Sequence, residues 1–107
     1  MILLKDYVLS NAGKLCADES FDDIKDKEEC IKAYEVVKDV YFDVKKDEIS
    51  YSATWPERPK GCFLHLKNGA VHWNPHPSGN RNNDDRQICI NGKYVWFQSI
   101  LYTITFI

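Results

Sequence analysis

The chain has no excess of positive charge: 14 lysines and arginines stand against 16 acidic residues, for a net charge of −2. A nucleic-acid binder usually carries a basic patch, and none is expected here. Charges of both signs are interspersed, so no basic membrane-surface helix stands out either. Glycine is scarce, at five residues, and no glycine-rich phosphate loop occurs. No Ser/His/Asp grouping and no paired-acid motif marks a catalytic centre. The doublets Asp22-Asp23, Glu28-Glu29 and Asp84-Asp85 are sequence neighbours. Neighbours do not share a face of a helix or strand, so these acids read as surface. No Asn-x-Ser/Thr sequon is present, which excludes N-glycosylation at that motif. No C-x2-C pair occurs, which argues against a zinc site. No apolar run reaches the ~20 residues of a membrane-spanning helix, so membrane insertion is not expected. No cofactor is implied.

What the chain does have is four cysteines, Cys16, Cys30, Cys62 and Cys89, in 107 residues. That length suits one domain. An even cysteine count in so short a domain reads as two disulfides, hence an oxidising, extracellular or secretory compartment. Met1-Ile2-Leu3-Leu4 opens like the apolar part of a signal peptide, but Lys5-Asp6 ends it too soon. The expectation is therefore a fragment, or one repeat, of a longer secreted protein. Residues 1–92 read as the disulfide-stabilised domain, and 93–107 as an apolar, β-rich tail. That tail is either the final strand or strands of the sheet or an extension foreign to the domain.

The clearest element is a helix over 27–38. Asp26 is a good N-cap, Glu29 follows at capping-box spacing, and Glu28 and Glu29 suit the helix dipole. Cys30, Tyr34 and Val37 recur on one face, while Lys32, Glu35 and Lys38 lie opposite. The next clearest is a hairpin over 62–74, centred on Asn68-Gly69. Asn-Gly is the signature of a two-residue type I′ turn. That register pairs Leu66 with Val71, His65 with His72 and Leu64 with Trp73. Alternation puts Cys62, Leu64, Leu66, Val71 and Trp73 on a core face, and Phe63, His65, His72 and Asn74 on a polar one. Weaker signals suggest extended structure over 3–9, 39–44, 49–55 and 88–90. The fold class is thus α+β: one helix on a small antiparallel sheet. Four cysteines allow three pairings. The helix turns Cys30 toward the sheet and the hairpin turns Cys62 toward the helix, so Cys30–Cys62 is the first bridge and Cys16–Cys89 remains.

The segments Tyr7-Val8-Leu9-Ser10, Glu28-Glu29-Cys30, Pro59-Lys60-Gly61-Cys62-Phe63, Val71-His72-Trp73-Asn74 and Ile88-Cys89 form a pattern. It resembles a small cysteine-rich module of multidomain proteins from protists, algae and marine invertebrates, over about residues 5–90. It departs from that pattern at His72, where an aromatic residue is usual. A helix cysteine bridged to a strand is also distantly similar to apple/PAN and WSC modules. The resemblance implies an extracellular, non-catalytic binder of glycan or protein, and defines no site.

Candidate ligand residues come from the loops 55–60 and 74–87. Trp55, between polar residues and Pro56, is the best stacking platform, with Arg58 nearby. Trp73 is expected in the core. Asn80, Arg81, Asn83 and Asp84 bring hydrogen-bonding groups suited to a glycan or to calcium, against the plainer reading of a solvated loop. His65, His72 and His76 are the candidates for a three-nitrogen metal site, against the plainer reading of two solvent-facing histidines on a half-buried hairpin. Two alternatives stand beside the binding module. One is a structural spacer repeat; the other is a small metal-binding protein or enzyme using the hairpin histidines.

Overall fold

The computed structural model describes residues 2–50 and 53–95, with side chains described over 6–50 and 53–92. Its helix, α1 (Lys27–Val40), starts where the sequence says it should: the Asp26 side chain accepts the Glu29 N–H at 2.7 Å. The carboxylate of Glu29 accepts the Tyr7 hydroxyl at 2.9 Å, tying the helix to the first strand. Burial and that carboxylate together push the Tyr7 phenol up to about 12. The helix runs through Val40, and the Tyr41 N–H bonds to the Val37 carbonyl. No strand forms over 39–44; a turn follows the helix instead. Cys30, Ala33, Tyr34 and Val37 are buried, as the periodicity requires. Val37 is fully enclosed, which contributes on the order of 2 kcal/mol.

The strands are β1 (Ile2–Leu9), β2 (Asp22–Asp23), β3 (Ile49–Ser50), β4 (Gly61–His65), β5 (Ala70–Asn74) and β6 (Asp85–Val95), with a short 3-10 turn at Cys16–Glu19. Their order is β1-β6-β4-β5-β3, with β2 also paired to β6. Among the described residues this is one helix packed on a mixed sheet of six strands, a small α+β domain. The sheet is not wholly antiparallel, because β3 runs parallel to β5. Of the extended stretch expected over 49–55, only Ile49–Ser50 pairs; Tyr51 and Ser52 lie outside the described residues. β6 is far longer than the expected 88–90, because β1 zips against it from Leu9↔Ile88 to Ile2↔Val95. Residues 93–95 of the apolar tail are therefore the end of β6, and 96–107 lie outside the described residues.

The hairpin departs from the expected register. The connection is the turn 66–69, so His65 pairs with Ala70 and Phe63 with His72. Contacts from elsewhere in the chain decide this. The Leu66 N–H leaves the hairpin ladder for the Asp84 carbonyl at 2.8 Å. Gly69, at φ +72°, donates to the His65 carbonyl at 2.8 Å, and its own carbonyl accepts from Lys45 and Lys46. The slip is two residues, and a two-residue slip keeps every side chain on its face. Cys62, Leu64 and Val71 accordingly stay in the core with Cys30, Ile88 and Leu9.

Both disulfides form as expected, Cys30–Cys62 with Cα atoms 5.4 Å apart and Cys16–Cys89 at 5.6 Å. They serve opposite faces of the sheet. Cys30–Cys62 fastens the helix to the core face. Cys89 alternates with Ile88 and Ile90, so Cys16–Cys89 fastens the 3-10 turn to the other face. A disulfide-bonded domain of this kind belongs to an oxidising environment. Among the described residues no helix is long and apolar enough to cross a membrane.

Candidate binding cleft

The sheet face away from the helix was expected to be polar and open, yet it is covered. Phe63, Asn74, Asp85 and Gln87 are all buried there. Loop residues 55–60 lie over them, and Trp55 meets Phe63 and His72 edge-on, with centroids 5.7 and 5.1 Å away. Polar burial is tolerable because the groups are bonded. Asp85 accepts from Arg58 Nη1 at 2.8 and 2.9 Å and contacts His65 Nδ1 at 2.9 Å. Gln87 Oε1 accepts the Cys16 N–H at 2.7 Å, and its Nε2 donates to the Lys60 carbonyl at 2.9 Å. His72 stacks on Phe63, and its Nδ1 is buried with no hydrogen-bond partner. Burial pushes the His72 imidazolium down, with His65 and Arg58 adding repulsion and Asp85 opposing.

The histidines do not assemble a metal centre. The corrected register sets His65 and His72 diagonally, with ring centroids 6.4 Å apart. His76 is held in its own loop, where Nδ1 accepts from Gly79 N–H at 3.0 Å and Ser78 N–H at 3.2 Å. Among the described residues, no three histidines, cysteines or carboxylates come together as a metal would need. His65 is instead a partner of Asp85 and Arg58, whose bond network ties β4, β6 and the loop over 55–60 together.

The other candidates hold loops in place. Arg58 pairs with Asp85, and Trp55 is half-buried on Phe63 and His72. Asn80 donates its N–H to the Arg58 carbonyl at 2.8 Å. Arg81 grips Asp18 of the 3-10 turn, through Nε at 2.9 Å and also through Nη2. That guanidinium, with the Leu15 N–H, holds the Asp18 carboxyl down at about 2. Asn83 is exposed beside Gly13, and Asp84 lies 3.4 Å from the Lys67 ammonium.

A concave site does occur at the base of these loops. It is a cleft of about 180 Å³ at the end of β5, lined by Trp73, Pro75, His76, Pro77, Lys25 and Lys60 among others. Trp73 packs on the core yet keeps part of its ring exposed, so it is the lining aromatic where the sequence pointed to Trp55. Gly61 is needed beneath it: at φ +78°, any Cβ there would come within 2.9 Å of the Ile24 carbonyl. Asn74 fixes the walls. Its Oδ1 accepts from the Trp55 and His76 N–H groups at 3.0 and 3.2 Å. Its Nδ2 donates to the Trp55 and Pro59 carbonyls at 2.8 and 2.9 Å. One buried amide thus clamps both loops that border the cleft. Sequence reasoning missed the site because its walls come from 24–25, 60–61 and 73–77, which no local pattern joins.

No protein-family model, no curated protein and no solved structure matches this chain.

Proposed function

We propose that this domain is a non-catalytic binding module of the extracellular space or secretory pathway, taking a glycan or protein partner at the cleft beside Trp73. The observation that carries this reading is the Asn74 clamp. It holds the backbones of two loops rigidly around a concave surface with an aromatic residue in its wall. Preformed concavity with a few polar groups at its rim is what small-ligand recognition uses, and pre-organised loops lower the entropy lost on binding. The two disulfides support the compartment. The test is a screen of the oxidised domain against a glycan array and a panel of extracellular proteins. A ligand bound by the native domain and lost by the double variant Lys25→Glu/Lys60→Glu is the expected result. Absence of any binder on both surfaces would favour a spacer role instead.

A further inference from the structure

The side chains lining the cleft are unusually one-sided in hydrogen-bonding character. Lys25 and Lys60 bring ammonium groups, and no aspartate or glutamate lines it among the described residues. Asp23 lies 3.5 Å from the Lys60 ammonium, in a partly exposed pair. His76 adds a further donor. Its Nδ1 accepts two backbone N–H groups, so in the neutral ring the proton sits on Nε2, and His76 is one of the residues lining the cleft. The amide of Asn74, the one side chain there that could accept from a hydroxyl, is committed on both its oxygen and its nitrogen to backbone groups. The cleft therefore offers donors and positive charge, with no free side-chain acceptor. A carboxylate or sulfate is acceptor-only and pairs with such donors directly, whereas the hydroxyls of any sugar ring, neutral or acidic, place their protons on water or backbone carbonyls.

The apolar part of the lining comes from Ile24, Trp73, Pro75 and Pro77. An aromatic face backed by proline rings suits the C–H face of a sugar ring, and the volume of about 180 Å³ limits the occupant to about one such ring. An acidic side chain of a peptide would reach the lysines but leave that wall uncovered. From these observations we infer that the cleft takes one ring of an acidic saccharide, its carboxylate or sulfate set toward Lys25 and Lys60 and its apolar face on Trp73. The inference rests on the binding-module reading and specifies its ligand class.

Calorimetric titration of the oxidised domain with four probes tests it: a uronate oligosaccharide, the same oligosaccharide with its carboxyls reduced to alcohols, a sulfated oligosaccharide of neutral sugars, and oligoglutamate. Binding of the uronate or the sulfated probe over the reduced one is expected, and the tighter of the two identifies the anion. Lys25→Gln and Lys60→Gln should each weaken that binding about tenfold, the size of one charge-assisted contact, with the thermal transition unchanged. Equal binding of the reduced saccharide, with both lysine variants as good as native, would overturn the acidic specificity and leave the module reading intact. Oligoglutamate bound as tightly as the acidic saccharides would overturn the saccharide class. No binding of any probe by folded protein, with an empty array as well, would remove both.

Discussion

Asn74 is the residue on which fold and candidate site meet, and replacing it gives a demanding test of both. It is 1% exposed and forms four bonds of 2.8–3.2 Å to the backbones of Trp55, Pro59 and His76. Asn74→Ala strips all four partners at once. Each bond contributes about 1 kcal/mol net, so the loss is about 4 kcal/mol, from a total stability of roughly 5–15 kcal/mol. For a domain of this size that lowers the melting temperature by roughly 20 °C. The isosteric Asn74→Asp separates hydrogen bonding from packing. It keeps the acceptor at Oδ1, removes both donors and sets a carboxylate against the Trp55 and Pro59 carbonyls. That environment raises the new carboxyl above its ordinary value of about 3.9. A raised acid binds protons better in the folded state, so the deficit against native is smallest below about pH 4 and grows as pH rises through the folded value. Denaturant unfolding of both variants with disulfides intact, at several pH values, reads this directly. An alanine variant within about 1 kcal/mol of native, or an aspartate deficit that ignores pH, would refute the clamp.

Two further predictions use other parts of the same architecture. His72 titrates below the free value of 6.5 because it is buried, so the folded state resists its protonation. Native stability should therefore fall as pH drops below 6.5 and level off once pH passes under the folded value, and His72→Gln should remove that part of the slope in denaturant midpoints. The bridges close loops of 73 and 32 residues in sequence separation. Loop-closure entropy assigns about 4 kcal/mol to each. Removing either pair as a double alanine variant should cost about that much, and a loss under about 1 kcal/mol for Cys16→Ala/Cys89→Ala would show that the far-face layer stands without its staple.

How far the fold was legible follows from where its information lies. The helix start, its buried face and the Cys30–Cys62 pairing depend on spacings within a few residues, and all three are found. The turn length failed because a non-local acceptor, the Asp84 carbonyl, captures Leu66, and because Lys45 and Lys46 seize the Gly69 carbonyl. Those bonds outweigh the local preference of Asn-Gly for two residues. β6 runs past the expected 88–90 for a similar reason: Asn91, Gly92 and Lys93 pair with Asp6, Lys5 and Leu4 of β1, a contact distant in sequence. Of the loops 55–60 and 74–87, Lys60 and 75–77 border the cleft. Trp55, Arg58 and Arg81 meet partners distant in sequence that polarity alone does not reveal.

The two faces of the sheet are sealed by different chemistry, and that difference bears on function. The helix face is closed by apolar contacts that need only volume and pattern. The other face closes over Phe63, with Trp55 and His72 packed on it, and also buries Asn74, Asp85 and Gln87, each bonded to groups on a different loop or strand. Apolar side chains of the same size would cover that face without the desolvation cost of polar groups. They would not fix where the loop backbones run, since dispersion is not directional. Directional bonds are. The Asn74 amide sets the Trp55, Pro59 and His76 backbones, Gln87 sets Cys16 and Lys60, and the Cys16–Cys89 bridge holds that layer covalently. Lys60 and His76, both set this way, are two of the three donors of the cleft. A layer built for position rather than for bulk thus fixes the backbones of Lys60 and His76, which border the cleft at the end of β5 beside Trp73 of the core face.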